Sequence, residues 1–148
     1  MGIVVARTFI VTAAADAVLD YLKDFGNTGE WDARTLETTR TDPGPVVVGT
    51  RWHNRSKILG LTTELTYTLC AVGSDELVFI GRNEGATSTG TITVRPVAGG
   101  SEVTYRVELE MHGVAKLATP VMKMELEKLG DETAARLTGV LNRLSSAA

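Results

Sequence analysis

Asn54, Tyr67, Arg82 and Tyr105 carry the groups in this sequence best suited to orienting or protonating a bound molecule. The two phenols are weak acids and hydrogen-bond donors, fit for a ligand carbonyl and, through it, for enolate chemistry. Tyr67 alternates in phase with Leu65 and Leu69, and Tyr105 with Val103 and Val107, so both fall on apolar faces where each hydroxyl needs a partner. Asn54 shares its phase with Trp52 and Ser56, opposite Arg51, His53, Arg55 and Lys57. Four ionisable side chains are most cheaply left in water, which turns Trp52, Asn54 and Ser56 inward. A buried amide there serves a ligand or a structural hydrogen bond equally well. Arg7 runs in phase with Phe9 and Val11, whereas Arg82 follows a stretch, residues 77–80, too uniformly apolar to be phased. An ion-paired or snorkelling arginine is the simpler expectation for both.

Other chemistries find little support. His53 and His112 fall on polar strand phases without a His or Cys at metal-ligand spacing, so no metal is expected. Cys70 follows a polar phase and has no basic neighbour in sequence to lower its pKa, which argues against a catalytic thiolate. Ser56, Ser74 and Ser88 lack a nucleophile-elbow setting, and no glycine pattern matches a dinucleotide or phosphate loop, so no cofactor is expected. In Glu30-Trp31-Asp32 the tryptophan reads as a packing anchor and the acids as solvated, with a gate as the alternative.

These residues must be held by strands. Residues 3–11 are rich in β-branched and aromatic types and predict a first strand. Thr12 is a candidate N-cap for an amphipathic helix through Val18, Tyr21, Leu22 and Phe25, and Gly26-Asn27-Thr28-Gly29 breaks it before a further turn at 30–32. From Leu36 the period becomes two, giving segments 36–41, 49–58, 61–72, 76–82, 86–97 and 101–112 separated by Gly, Pro, Asn and Asp turns. That is an antiparallel meander with one wet face, and its long strands suit a curved sheet. Residues 113–144 place Val114, Leu117, Val121, Leu126, Leu129, Leu137, Val140, Leu141 and Leu144 at three-and-four spacing. They predict a helix of roughly 45 Å that covers the apolar face, kinked at Pro120, with Gly130 and Gly139 marking a break or a close contact.

Composition sets the limits. With 148 residues and 43% apolar side chains the chain suits one domain, residues 1–148, with a core that needs no staples. Eighteen acids against fifteen scattered bases give a net charge of −3, which disfavours nucleic acid and anionic membranes. No apolar run is long enough to span a bilayer, the N-terminus does not read as a leader, and a single cysteine fits a reducing compartment, so the cytoplasm is expected.

The order of these elements, together with Val11-Thr12-Ala13 leading into Ala17 to Phe25, Glu30-Trp31-Asp32, Val48-Gly49-Thr50-Arg51-Trp52, Leu65-Thr66-Tyr67 and Gly99 to Tyr105, resembles the START/Bet v 1-like helix-grip superfamily, in particular its bacterial polyketide cyclase/dehydrase-like members. The resemblance spans the chain and implies an α+β helix-grip fold. In it a curved antiparallel sheet wraps a long C-terminal helix, two short helices follow the first strand, and an apolar cavity lies between. It places Glu30-Trp31-Asp32 near one end of the grip. The expected lining is Phe9, Trp52, Asn54, Tyr67, Ser88, Ile92, Tyr105, Leu109 and Met111 from the sheet, with Met122 and Leu126 from the helix. Aromatase/cyclases of the superfamily carry an inward arginine and hydroxyl set among tryptophans; the corresponding strand here presents Leu65, Tyr67 and Leu69.

Three functions stay open, because the fold hosts carriers, sensors and enzymes. The first is a binder or carrier of a small hydrophobic, lipid- or polyketide-like molecule. The second is a polyketide cyclase or dehydratase using Tyr67, Tyr105, Asn54 and Arg82, and the third an interaction module with a filled core. A second copy of the chain is a candidate partner. Cavity volume discriminates the last case, since below about 300 Å³ the small-molecule readings lose their footing.

Overall fold

The computed structural model describes residues 2–146. Its elements are β1 (Ile3–Val11), α1 (Ala15–Lys23), a 3-10 turn (Phe25–Asn27), α2 (Thr28–Trp31), β2 (Thr35–Arg40), β3 (Arg51–Ile58), β4 (Leu61–Val72), β5 (Glu76–Arg82), β6 (Ala86–Val97), β7 (Gly100–Met111), a second 3-10 segment (Gly113–Ala118) and α3 (Thr119–Ser146). The strands form one open, curved antiparallel sheet in the order β1-β7-β6-β5-β4-β3-β2. This is a meander whose first strand closes onto its last. Every pair is antiparallel, and side chains alternate between a wet outer face and a covered inner one. The architecture is the helix grip.

Helix α3 lies across the inner face and buries Leu126, Leu129, Thr133, Leu137, Val140 and Leu141. It packs close against β1 at Gly130, where an added Cβ would stand 2.7 Å from Val5 Cγ1. One core cluster joins α1, Phe25, Trp31 and Trp52 to the sheet and the C-terminal half of α3. A second and smaller one gathers Ile3, Val5, Leu109, Leu126 and Leu129.

Three local expectations are corrected. Thr12 does not cap α1: the helix starts at Ala15 behind Ala14, which makes no side-chain cap bond. Thr12 is instead tied to the far end of α3, its backbone N–H donating to Asn142 Oδ1 at 2.9 Å and its hydroxyl 2.6 Å from that of Ser145. Pro120 begins α3 instead of kinking it, because a residue without an N–H costs nothing in the first turn, where that group has no partner in the helix. Val114, Leu117 and Val121 do not cover the sheet: they are 87%, 86% and 54% exposed. Residues 113–118 wind as a 3-10 helix, whose tighter turn stacks Val114 and Leu117 on one outward ridge and breaks the phase assumed for a continuous α-helix.

Candidate functional site

The four basic and ionisable side chains of β3 stay outside as expected, and Trp52, Asn54 and Ser56 are buried. Asn54 is held on both ends of its amide. Its Nδ2 donates to the hydroxyls of Thr38 at 2.9 Å and Thr35 at 3.1 Å, and its Oδ1 accepts from Ser56 at 2.7 Å. Thr38 lies 2.6 Å from the Thr28 hydroxyl, which donates to the Phe25 carbonyl at 2.8 Å. This polar string ties β2 and β3 to the short helices and fixes the orientation of Asn54.

Between the two core clusters lies a partly open cavity. Its walls come from Asn54, Ser56 and Ile58 of β3, Leu65 and Tyr67 of β4, Phe79 of β5, and Ser88, Gly90 and Ile92 of β6. Tyr105, Val107 and Leu109 of β7, Leu126 and Leu129 of α3, and Phe25, Trp31, Asp32 and Arg34 complete it. The Tyr67 ring owes its place to Gly81, its cross-strand partner, where a Cβ would come within 2.6 Å of the ring. On its other side Phe25 stacks at a centroid distance of 4.4 Å, while Trp31 meets Tyr105 edge-on at 5.8 Å.

Asp32 lines this cavity, contrary to the expectation that both acids are solvated. Only Glu30 is exposed, and it accepts a hydrogen bond from the Tyr21 hydroxyl. Trp31 is the packed anchor expected of it, 2% exposed. Asp32 follows the last residue of α2, and its Oδ1 accepts the Arg34 backbone N–H at 2.8 Å. Burial pushes its carboxyl up from the ordinary range, against the backbone hydrogen bonds of Arg34 and Thr35 and the charges of Arg136 and Arg34. Burial also pushes the Tyr67 hydroxyl up to about 12, with Ser88 working the other way and the Asp32 charge adding to the rise. Tyr105 is raised further by burial and by the charges of Asp32 and Tyr67. Both phenols therefore stay protonated donors across the physiological range, beside a carboxyl reluctant to ionise.

The guanidinium of Arg34 turns toward α3. Nε donates to Glu125 Oε2 at 3.0 Å and Nη2 to Oε1 at 3.4 Å, while Nη1 pairs with Glu132. Glu125 Oε2 also accepts the Leu59 backbone N–H at 3.4 Å. A loop, a helix and the β3–β4 hairpin are thus clamped together beside Ile58 and Leu126 of the wall. The Arg34 hydrogen bonds hold the Glu125 carboxyl below its ordinary range.

Of the residues expected to line a cavity, Asn54, Tyr67, Ser88, Ile92, Tyr105, Leu109 and Leu126 are on its wall. Trp52 is not, being wholly buried behind Phe25 and Phe79. Phe9 packs on the larger core cluster, and Met111 and Met122 on the smaller. Arg82 is exposed: β5 directs Leu77, Phe79 and Gly81 inward, so the next residue faces water. Arg7 is paired with Asp131 of α3 at 2.8 Å and Glu127 at 3.4 Å. Asp32, Arg34, Phe25, Phe79 and Leu129 were not legible as wall residues. Phe79 lay in the unphased stretch, and a four-residue helix is too short for a period to orient Asp32.

The free volume of the cavity is about 80 Å³. That is below the roughly 300 Å³ of pockets for drug-sized molecules. A wider depression of about 410 Å³, lined by Ala14, Asp16, Leu19, Ser74, Asp75 and Pro96 among others, is an open groove on the surface. Among the described residues no three His, Cys, Asp or Glu side chains gather as metal ligands. No described helix is long and apolar enough to cross a membrane.

A family model described as polyketide cyclase / dehydrase and lipid transport matches residues 2–142. No curated protein matches the sequence. Among solved structures, the Zhui aromatase/cyclase from Streptomyces sp. R1128 superposes with a TM-score of 0.76 at 12% identity, covering 98% of this chain and 94% of that one. A START superfamily protein from Mycobacterium smegmatis gives 0.72 at 13%, with 98% and 99% covered. A STAR-related lipid transfer protein from Xanthomonas axonopodis gives 0.71 at 15%, with 92% and 84% covered. At these identities the likeness concerns the fold.

Proposed function

Because this chain belongs to the polyketide cyclase / dehydrase and lipid transport family, we propose that it binds a small, largely apolar molecule in the cavity between sheet and α3. The observation that carries this reading is the cavity itself, which parts the core into two clusters and brings a few polar groups to mostly apolar walls. The volume of about 80 Å³ sets the scale of the occupant. An occupant as large as a single aromatic ring, a polyketide or a lipid needs the walls to part. The partner is a small molecule of the cytoplasm, where the exposed Cys70 stays reduced.

A second reading, a cyclase or dehydratase working by positioning and proton transfer, is favoured by one feature: Tyr67, Tyr105 and Asp32 face the same space. Native mass spectrometry of protein purified from its own host tests the first reading, which expects a reproducible extra mass. A clean apo mass, together with no uptake of small aromatic probes, would leave the filled-core module. Turnover with a bell-shaped pH profile that collapses in Tyr67→Phe would move the assignment to the enzyme.

A further inference from the structure

The cavity's polar character is uneven. Asn54 and Ser56 spend their hydrogen bonds on each other and on threonines of β2, so the strongest group left facing the space is the Asp32 carboxyl. A carboxylate withdrawn from water is costly unless a cation answers it. The natural candidate, Arg34, is committed elsewhere, with Nε, Nη1 and Nη2 all on Glu125 and Glu132 of α3. The other cation that acts on Asp32 is Arg136, an exposed residue of α3 outside the cavity wall. The neighbours inside are aromatic: Phe25, Trp31, Tyr67 and Tyr105 line the same space. An acid set among aromatic rings is the environment that stabilises a desolvated organic cation, by ion pairing at one point and ring quadrupoles around it.

We propose that the occupant is a small organic amine, bound as its ammonium ion with the nitrogen on Asp32 and its apolar part against the aromatic walls. This rests on the reading of the cavity as a small-molecule site and narrows it. The same geometry disfavours an anionic ligand such as a fatty acid, whose carboxylate would meet Asp32 with no free guanidinium to separate them.

Benzylamine, benzyl alcohol and benzoate have nearly the same size and differ in the charge of one group, so their affinities for the full chain, measured by titration calorimetry, test the assignment. Benzylamine is expected to bind about thirty-fold more tightly than benzyl alcohol at neutral pH, with benzoate weakest. In Asp32→Asn, which keeps an oxygen for the Arg34 N–H, amine and alcohol should bind alike. A second readout needs no variant. The charged and titratable groups around Asp32 are Tyr67, Tyr105 and Arg34 on the wall, with the charge of Arg136 acting from outside it; amine affinity should rise with pH as Asp32 ionises while alcohol affinity stays flat. Alcohol binding as tightly as amine, or a flat amine profile, would overturn the ammonium assignment and leave the cavity reading standing. No binding of any probe at about 10 mM would remove the cavity reading itself.

Discussion

Asp32 sits where burial works against its ionised form. Burial raises its carboxyl pKa, so between the ordinary aspartate value, about 3.9, and the raised one the folded protein holds a proton that the unfolded chain has lost. Stability from this group is fully present below the ordinary value and drains away as pH rises through the raised one. Asp32→Asn removes that loss and should stabilise the protein at pH 7 by about 1 kcal/mol in urea unfolding, with the gain vanishing below about pH 4. An equal gain at both pH values would mean that ionisation of Asp32 is not what burdens the fold. Residues like Asn54 and Tyr67 were legible because each stands in a strand whose neighbours fix its face. Asp32 was not, because α2 is one turn long and its neighbours define no face.

At the level of elements, the legible part was the two-residue period, which located the strands to within one or two residues of their ends. The C-terminal helix was harder. Its apolar spacing looked continuous across 113–144, yet the winding changes at Thr119 and the outward ridge of Val114 and Leu117 follows from that change. Its two internal glycines also look alike in sequence and differ in place. At Gly139 an added Cβ meets nothing within 4 Å, so Gly139→Ala should gain the helix propensity difference, about 1 kcal/mol. At Gly130 the same Cβ would press on Val5 Cγ1 at 2.7 Å, in a β-branched side chain with little rotamer freedom. Overpacking of that kind costs about 1–3 kcal/mol and outweighs the propensity gain, so Gly130→Ala should destabilise. Thermal melts of the two variants should move in opposite directions; a stabilised Gly130→Ala would mean that α3 can lift from β1 without penalty.

For the whole molecule, the division of the core into two clusters means that something must hold the sheet and α3 at a fixed distance across the gap. At one end the Arg7 pairs with Asp131 and Glu127 join β1 to α3, but these acids are half to three-quarters exposed and contribute little. The Arg34–Glu125 pair, at 18% and 10% side-chain exposure, is better shielded, and it joins three separate segments. Glu125 has its carboxyl pKa lowered, so its contribution is present above the ordinary glutamate value of about 4.3 and is lost as pH falls through the lowered one. Glu125→Gln imitates that loss at neutral pH, leaving Arg34 with Glu132 alone. The variant should lose about 2 kcal/mol of stability. If this clamp is the barrier between the cavity and water, the same variant should take up benzyl alcohol several-fold faster in stopped-flow measurements, with affinity changed less than rate. Uptake as slow as in the parent protein, despite the lost stability, would place the path to the cavity elsewhere and leave the clamp a purely structural tie between hairpin and helix.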